Sequence, residues 1–537
     1  MLFLRLGKMK NIHAAYLIFT GAALKLLLLS FACKNNITAI LFFTIEFMII
    51  TIGIYLLKNK FKLLLLPLGI ISLLQVVNMA ATGNLIETET ILNINEGSSL
   101  DCFFKLKLTI LFVIGCASFV LDLFVPNIRL HKRKLACGLA IILAVVEMLP
   151  GAPLYSCAET IYSVFEVLFT PQPDYSTGES FKHETIIDSG ISLKLKSRNK
   201  NIILIFAEGT GIYCLSEKLT PNVYGLSKES ISFKNYFNHT AFTFRGIRGQ
   251  LISGYPLLGG SVLEKKVTAE EMKKFYSTSL PTLPDILNRH DYKTVFLSPH
   301  PQYENLGEVV RQSGIQHIKY AEDFGCTENL TDRKQYQNIW QELQKLETSG
   351  ERFFLSAYIL GTHHGMDSPD VKYGDGKNPY LNKFYNQDHW FGEFFKKFKQ
   401  SKLAENTILI WTSDHFIYPT REYRETFNRN DQFYVGRIPL FIYHRDFPAK
   451  SIDPGIRNSL SLAPTILDLL GIHNEKNYFL GNSLFVSQQT EYDNIAVSGK
   501  KVFLIRSDGS VVYCRKESKI LDRFYRNRFL EYYKFIQ

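Results

Sequence analysis

Charged residues are scarce in this 537-residue chain: Asp, Glu, Lys and Arg make up 21% of it, against 46% hydrophobic residues. So apolar a composition excludes an intrinsically disordered chain. The 8 cysteines contain no CxxC pair, so neither a thioredoxin-type redox centre nor a zinc knuckle is predicted. Basic residues exceed acidic ones by 61 to 50, a net charge of +11, but they form no Lys/Arg stripe. We therefore expect no nucleic-acid partner.

The N-terminal region also lacks the small-residue cleavage site that ends a signal peptide, so we expect it to remain in the membrane. Its apolar segments are close to the length of about 20 residues that spans a bilayer. Five spans are predicted, at about 12–33, 37–57, 62–80, 107–126 and 135–153.

Basic clusters between the predicted spans indicate their orientation. Lys58, Lys60 and Lys62 fill the turn between the second and third spans, and Arg129 and Lys132 lie between the fourth and fifth. Such clusters stay in the cytoplasm. With the N-terminus inside and an odd number of spans, everything after Pro153 is expected outside the cytoplasm.

Two charged residues fall inside predicted spans. Lys25 and Glu46 lie at similar depths, roughly 12–14 Å from the outer ends of their helices. A lone charge in hydrocarbon is costly, so we predict that the two form an ion pair. Glu147, near the outer end of the fifth span, is either a contact for a lipid head group or simply an interfacial residue.

After residue 198 the pattern changes to short apolar runs that alternate with amphipathic segments. This alternation predicts a doubly wound α/β sheet. The predicted strands are Asn201–Phe206, Thr294–Leu297, Phe353–Ile359, Thr407–Trp411 and Ile438–Tyr443. The predicted helices are Leu280–His290, Arg333–Leu346, Asn382–Lys399 and Leu460–Leu470.

Polar residues directly follow three of these strands. They are Glu208 after the first strand, His363 and His364 after the third, and Asp414 and His415 after the fourth. In open α/β sheets ligands bind outside the carboxyl ends of the strands, so these side chains are expected to converge. Carboxylates and imidazoles are suitable ligands for Zn²⁺ or Mn²⁺. Each residue alone is more often a cap or a surface group, but three clusters in one sheet favour a metal site.

The segment 235–250 supplies candidate nucleophiles. Thr240 and Thr243 carry alcohols that become reactive when a metal ion or a base assists the loss of their proton. Arg245 is positioned to hold phosphate oxygens. Taken alone, this segment would be an ordinary turn followed by a helix.

Together these segments resemble the alkaline phosphatase/sulfatase superfamily over about residues 199–485, and more closely its membrane-anchored branch. That branch comprises bacterial phosphoethanolamine transferases and lipoteichoic acid synthases. The motifs that carry the resemblance are Ile203–Gly209, Leu219–Asn222, Thr412–His415, Ala463–Gly471 and Phe479–Leu484.

The resemblance implies roles for individual residues. The implied metal ligands are Glu208, Thr243, Asp414 and His415. Thr243 is also the implied nucleophile, with Thr240 as the alternative. His363 matches the residue that contacts the transferred phosphate or the leaving group, and its neighbour His364 is the second candidate. Arg245 as a phosphate clamp is inferred from its chemistry rather than from the family.

One departure separates this chain from the true sulfatases. They carry a Cys or Ser in a C/S-x-P-x-R pentapeptide, and this chain contains none. The sequence therefore favours an unmodified Thr nucleophile over sulfate ester hydrolysis.

The expected activity is transfer of phosphoethanolamine from a membrane phospholipid, with phosphatidylethanolamine as the expected donor, through a phospho-threonine intermediate. The expected acceptor is a surface glycolipid or glycan of the lipopolysaccharide type. Zn²⁺ is the expected cofactor, with Mn²⁺ or Mg²⁺ as alternatives. Phosphoglycerol transfer, a phosphodiester hydrolase and a non-catalytic scaffold are the competing interpretations.

The predicted architecture is a five-helix transmembrane bundle joined to an extracytoplasmic α/β domain of alkaline phosphatase/sulfatase type, with a mixed, mostly parallel sheet. The implied location is the bacterial inner membrane, with the catalytic domain in the periplasm. The predicted divisions are 1–153 for the bundle, 154–198 for an amphipathic connector, 199–492 for the catalytic domain and 493–537 for a C-terminal hairpin with a basic aromatic tail.

Overall fold

The computed structural model describes residues 2–34, 36–57, 59–87, 90–91, 102–125, 133–169, 184–194, 200–255, 280–364, 366, 368–499 and 501–536. These residues form two compact units. The first comprises Met1–Thr170 with Thr420–Glu425, and the second comprises Pro171–Pro419 with Thr426–Gln537.

The first unit is helical. Its helices are α1 Leu2–Cys33, α2 Ile37–Leu56, α3 Leu66–Thr82, α4 Cys102–Phe124, α5 Arg133–Val146 and α6 Pro153–Phe169, with a 3₁₀ turn at Asn59–Leu65. Four apolar helical stretches are long enough to cross a membrane: His13–Cys33, Ile37–Leu56, Phe61–Thr82 and Lys105–Phe124. They confirm the first four predicted spans.

The prediction of a fifth span at 135–153 is wrong. Helix α5 has 14 residues, so at 1.5 Å per residue it is about 21 Å long, short of a hydrocarbon core of about 30 Å. Turns follow at 147–152, and α6 begins at Pro153. The apolar run was long enough, but its second part is not helical. The described residues therefore contain four candidate spans, not the odd number from which the location of the C-terminal region outside the cytoplasm was predicted.

The predicted ion pair between Lys25 and Glu46 is also wrong. The Lys25 ammonium pairs with Asp122 of α4 and donates to Thr51 Oγ1 at 3.2 Å. Glu46 instead accepts a hydrogen bond of 2.6 Å from the hydroxyl of Ser72 on α3. The packing of the helices decides which side chains meet: Lys25 lies beside Thr51 of α2, five residues beyond Glu46.

The second unit is built on an eight-stranded sheet in the order β5-β4-β6-β1-β7-β8-β2-β9. The strands from β5 to β7 run parallel, β8 is antiparallel to both of its neighbours, and β9 pairs parallel with β2. These strands are β1 Asn201–Ala207, β2 Ile231–Phe233, β4 Lys293–Leu297, β5 His317–Lys319, β6 Phe353–Ile359, β7 Thr407–Ser413, β8 Leu440–Tyr443 and β9 Lys450–Ile452.

All five predicted strands are present, and the sheet is mixed and mostly parallel as expected. The prediction of a parallel strand at Ile438–Tyr443 is wrong in direction, since β8 is antiparallel to β7. The wrong direction has a physical reason. Strand β8 is nearly as buried as the central parallel strands, and a continuous apolar run indicates that a strand is buried, not in which direction it runs.

Helices cover both faces of the sheet. They are α7 Pro221–Glu229, α8 Thr243–Ile252, α9 Leu283–Arg289, α10 Leu306–Arg311, α11 Asp332–Ser349, α12 Pro379–Gln400, α13 Leu403–Asn406 and α15 Leu462–Leu470. Helix α14 Arg421–Phe427 belongs largely to the first unit. The four predicted helices correspond to α9, α11, α12 and α15. Local chemistry sets their ends: a capping box between Thr282 and Asp285 starts α9, and Asn378 caps α12 ahead of Pro379.

A smaller antiparallel sheet lies near the C-terminus. It consists of β11 Ile495–Ser498, β12 Lys501–Ile505 and β13 Val511–Tyr513. The last two strands form the predicted hairpin around residues 506–510, where Arg506 N donates to Ser510 O at 2.9 Å. Two short strands, β3 Tyr236–Phe237 and β10 Arg457–Asn458, pair with each other. Helices α16 Cys514–Glu517 and α17 Lys519–Ile536 follow.

Candidate active site

Two neighbouring strands of the main sheet end at the candidate site. Glu208 directly follows β1, and Asp414 and His415 directly follow β7, which pairs with β1 in parallel register. Ligand atoms of these three residues lie within 4.8 Å of one another, and all three side chains are buried. The structure therefore brings together the carboxylates and the imidazole that the sequence proposed as metal ligands.

Two atoms of this cluster, Asp414 Oδ2 and His415 Nε2, are left without a hydrogen-bond partner. Asp414 Oδ1 accepts from the amides of Gly209 and His415, both at 2.8 Å, whereas Oδ2 is buried with no hydrogen-bond partner. His415 Nδ1 lies 2.8 Å from the carbonyl oxygen of Phe416, which only accepts, so Nδ1 carries the proton. The lone pair is then on Nε2, which is also buried without a hydrogen bond.

This arrangement fits a divalent metal ion. A ligating imidazole usually donates its other N–H to a carbonyl or a carboxylate, as His415 does. Nε2 of His415 lies 3.4 Å from Glu208 Oε1 and 3.5 Å from Asp414 Oδ2. Two carboxylates and one imidazole are a donor set that suits Zn²⁺ or Mn²⁺.

The electrostatics of the cluster also attract positive charge. Burial lowers the pKa of His415, but the carboxylates of Asp414 and Glu208 outweigh it and raise that pKa to about 10. Burial alone would raise the pKa of Glu208, but the imidazole of His415 and the hydroxyl of Tyr358 hold it below its usual range. A negative, buried cluster of this kind binds a proton when no metal ion is present.

We therefore predict that metal affinity rises with pH. Below pH 10 the metal-free site holds a proton on His415, and an incoming ion must displace it. Between pH 8 and 9 the association constant for Zn²⁺ or Mn²⁺ should rise by about tenfold per pH unit. The rise should be steeper below about pH 7, because burial and the charge of Glu208 raise the pKa of Asp414 to about 7, so that a second proton must leave. Calorimetry in buffers of different ionisation enthalpy measures the number of protons released. An affinity that is constant across this range would contradict the prediction.

The structure distinguishes between the two candidate nucleophiles. Thr243 begins α8, and its hydroxyl donates to Glu208 Oε2 at 3.0 Å. Its side chain is 8% exposed, so it is shielded but still reachable. The described hydrogen bond of the Thr240 hydroxyl is to the carbonyl oxygen of Ala241 at 3.3 Å, not to the cluster.

The backbone before Thr243 is strained. Phe242 has a φ of 73° and a ψ of 140°, a region that bulky residues rarely adopt and that costs of order 1–3 kcal/mol. This conformation turns the chain sharply into α8 and presents the Thr243 hydroxyl at a helix N-terminus. Negative charge that develops on a phosphate there is favoured by the helix dipole.

Sequence reasoning missed Tyr358. It lies near the carboxyl end of β6, and its hydroxyl donates to the same Glu208 Oε2 that accepts from Thr243. The register pairs Tyr358 with Phe206 of β1, two residues before Glu208. The available signal was the hydroxyl on an aromatic ring at the end of a buried strand, which needs a partner.

The structure places the remaining predicted residues at different distances from this centre. His363 is buried and close enough to Glu208 to interact with its charge, and its Nδ1 lies 3.1 Å from the carbonyl oxygen of His364. The Thr362 hydroxyl donates to the carbonyl oxygen of Glu208 at 2.5 Å, which ties this loop to the end of β1. Arg245 is buried in the first turn of α8. None of the described contacts of His364 reaches the metal cluster.

A second group of potential ligands, Asp188, Asp468 and His473, has a different character. The carboxylate of Asp468 accepts hydrogen bonds from the hydroxyls of Ser189 at 2.7 Å and Ser483 at 2.5 Å. Its bonding capacity is already used, and the side chain of Asp188 is 57% exposed. This group joins the Ala463–Gly471 and Phe479–Leu484 motifs to each other and has a structural role.

A glycine permits the close approach of α8 to the metal ligands. A Cβ at Gly246 would lie 2.3 Å from the carbonyl oxygen of Asp414. Gly246→Ala should therefore destabilise the protein by about 1–3 kcal/mol and shift Asp414. Gly225 is the matched control, because it lies in α7 with no neighbour within 4 Å of an added Cβ. Gly225→Ala should be neutral or stabilising by up to about 1 kcal/mol. Thermal unfolding of the full chain compares the two, and equal effects would contradict this account.

This fold and this cluster define a class of α/β proteins that hold a metal ion beside an alcohol at the carboxyl edge of a parallel sheet. The family model described as Sulfatase matches residues 200–472, just over half of the chain. The chain therefore belongs to the sulfatase family, and its second unit has the alkaline phosphatase/sulfatase type of fold.

Among curated relatives, the lipoteichoic acid synthase-like YvgJ of Bacillus subtilis is 24% identical over 326 residues, covering 55% of this chain and 51% of the relative. Phosphoglycerol transferase I of Escherichia fergusonii is 26% identical over 284 residues, covering 49% of this chain and 35% of the relative. The chain thus spans about half or less of the length of these relatives.

Solved structures support the fold. An alkaline phosphatase superfamily protein from Vibrio parahaemolyticus aligns with a TM-score of 0.52 and 17% identity, covering 70% of this chain and 97% of that one. The lipoteichoic acid synthase LtaP from Listeria monocytogenes aligns with a TM-score of 0.50 and 18% identity, with the same coverage. At these identities the likeness concerns the fold alone.

Proposed function

We propose that this protein transfers the phosphorylated head group of a membrane phospholipid to an acceptor, through a covalent intermediate on Thr243. The observation that carries the proposal is the placement of the Thr243 hydroxyl 3.0 Å from Glu208, beside the unpartnered atoms of Asp414 and His415. An alcohol next to a metal site and at a helix N-terminus is arranged for attack on phosphorus.

Glu208, Asp414, His415 and Thr243 are the proposed ligands of a divalent ion, for which Zn²⁺ is our first choice. When bound, such an ion lowers the pKa of the alcohol and neutralises the phosphate oxygens. The residues of the chain supply position: the strand ends fix both carboxylates, and Tyr358 holds Glu208 in place.

In the first proposed step Thr243 Oγ1 attacks the phosphorus of the phosphodiester, and the bond from phosphorus to the diacylglycerol oxygen breaks. The Thr243 proton passes to solvent by way of Glu208, and His363 gives a proton to the departing diacylglycerol. In the second step an acceptor hydroxyl attacks the phosphorus of the phospho-threonine, and the bond from phosphorus to Thr243 Oγ1 breaks. His363 takes up the acceptor's proton, and Thr243 Oγ1 regains a proton from solvent. Arg245 is the proposed partner of the phosphate oxygens.

Two head groups compete as substrates. Phosphoethanolamine from phosphatidylethanolamine is our first candidate, with a surface glycolipid or glycan of the lipopolysaccharide type as acceptor. Phosphoglycerol is the second candidate, and the observation that favours it is the presence of phosphoglycerol transferase I among the relatives. Four candidate membrane spans support a donor drawn from the bilayer in either case.

We further propose that the second unit lies outside the cytoplasm, at the bacterial inner membrane, as in the branch that the sequence resembles. A reporter enzyme active only in the periplasm, fused after residue 537, tests this placement. Activity of the fusion supports it, and a silent but expressed fusion contradicts it.

The decisive test of the reaction is mass spectrometry. The purified full chain is incubated with Zn²⁺ and with each phospholipid in turn, and its peptides are analysed for a head-group adduct on Thr243. Diacylglycerol release together with an adduct on Thr243 supports the proposal. Release of free head group without an adduct points to hydrolysis, and no release from any donor refutes the proposal. Surface glycolipids from cells with and without the protein then identify the acceptor.

A further inference from the structure

Three aromatic rings form a wall beside the candidate nucleophile. Phe242 lies 6.2 Å from Tyr418 and 6.5 Å from Tyr434, and the two tyrosine rings lie 5.2 Å apart, all measured between ring centroids. We call these three residues the aromatic wall. The tyrosines meet nearly edge to face, at 78°, so their ring faces point in different directions.

The wall is attached to the reacting centre at two points. Phe242 directly precedes Thr243, and its positive φ sets the direction in which the chain enters α8 at Thr243. Tyr418 stacks on the imidazole of His415, with centroids 5.2 Å apart and planes within 10°. Any group bound against the wall therefore lies beside the phosphate position.

Part of the wall is accessible to a ligand. Phe242 is 6% exposed, whereas Tyr418 and Tyr434 are half-buried. The guanidinium carbon of Arg245 lies 5.7 Å from the Phe242 ring centroid, so Phe242 already attracts one cation and the two tyrosine rings are the part of the wall open to a second. Aromatic faces attract cations at such distances, and groups of them form the usual sites for ammonium ligands.

The dimensions of an ethanolamine head group match this arrangement. Its nitrogen is separated from phosphorus by four bonds of about 1.5 Å each, a reach of about 5 Å. A phosphorus atom bonded to Thr243 Oγ1 would thus place the ammonium within reach of the ring of the adjoining residue. A glycerol head group carries no cation, so the ring faces offer it no comparable electrostatic attraction.

We infer that the aromatic wall of Phe242, Tyr418 and Tyr434 is a head-group pocket that selects a primary ammonium, and hence phosphatidylethanolamine, over the uncharged glycerol of phosphatidylglycerol. The inference rests on the proposed head-group transfer and specifies its donor. It assigns to Tyr418 and Tyr434 a role in specificity rather than in chemistry.

The test compares two donors with identical acyl chains. The full chain in detergent, loaded with Zn²⁺, receives phosphatidylethanolamine or phosphatidylglycerol, and diacylglycerol release gives kcat/KM for each. We expect phosphatidylethanolamine to be preferred by about tenfold, the scale of a partly desolvated cation–π contact. Tyr434→Leu and Tyr418→Leu should bring this ratio close to one, whereas Tyr434→Phe should preserve it because the ring face remains.

The ratio is the informative quantity, because damage to the metal centre would lower both rates alike. A measurement on the unchanged protein removes any dependence on the folding of the variants. N-acetylated phosphatidylethanolamine has lost its charge but not its carbon chain, and it should lose the preference.

The outcomes separate the inference from the function on which it rests. If phosphatidylglycerol is used as well or better, if the ratio is unmoved in both leucine variants, or if the N-acetylated donor is used equally well, the inference is wrong while head-group transfer stands. If no phospholipid releases diacylglycerol, both are wrong.

Discussion

Thr243→Ala is expected to reduce head-group transfer by more than about 1,000-fold while leaving the fold intact, even when Zn²⁺ is supplied in excess to offset the loss of a neutral ligand. The variant removes the only atom of Thr243 that can bond to phosphorus, and loss of a nucleophile typically has effects of this size. The variant also loses the hydrogen bond from Thr243 to Glu208 Oε2, but this oxygen still accepts from the Tyr358 hydroxyl. Diacylglycerol release and the threonine adduct are the measurements.

Two further variants make this test specific. Thr243→Ser keeps the hydroxyl but gains rotational freedom, so it should retain activity lower by about tenfold. Thr240→Ala removes the alternative alcohol, whose described contact is Ala241 O, and should leave an adduct on Thr243. Loss of the adduct in Thr240→Ala with normal transfer by Thr243→Ala would assign the nucleophile to Thr240 instead.

Glu208→Gln is expected to lower the affinity for Zn²⁺ by more than about 100-fold and to abolish transfer. The substitution keeps the size of the side chain but removes one of the two negative charges that face His415 Nε2, 3.4 Å from Glu208 Oε1. Changes outside the ligand set alone typically cost 10–100-fold in affinity, so loss of a ligand charge should cost more. Metal content after dialysis, and calorimetry, measure the effect.

The matched control for this variant is Glu229→Gln. Glu229 is a surface carboxylate that pairs with Lys399 at 2.9 Å and belongs to no metal cluster among the described residues. Its replacement should leave metal content unchanged and alter stability by less than about 1 kcal/mol. Equal metal content in the two variants would show that Glu208 is not a ligand.

Local and periodic features of the chain could be predicted well. Continuous apolar runs gave the strands at 201–206 and 353–359, because a central parallel strand is buried on both faces. Polar residues at strand ends gave Glu208, Asp414 and His415, because parallel strands deliver their carboxyl ends to one edge. These inferences need only the period of the pattern and the direction of the strands.

Features that depend on the meeting of distant segments could not be predicted. Lys25 was predicted to pair with Glu46, and only helix packing shows that Asp122 of another helix receives its ammonium instead. The length of α5 followed from where the helix ends in the turns after Val146, a point the apolar run did not mark. Tyr358 became a site residue only through its strand register beside β1.

The amino-acid sequence by itself determined that this chain has an apolar helical region followed by an α/β domain with acidic and imidazole groups at its strand ends, since hydrophobic period and residue chemistry are local properties. Only the tertiary structure decided that Thr243 rather than Thr240 faces the carboxylate of Glu208, and that three aromatic rings stand beside it. The reason is geometric: a strained turn at Phe242 and the packing of α8 against the end of β7 set the direction of each side chain, and neither is encoded in the spacing of residues along the chain.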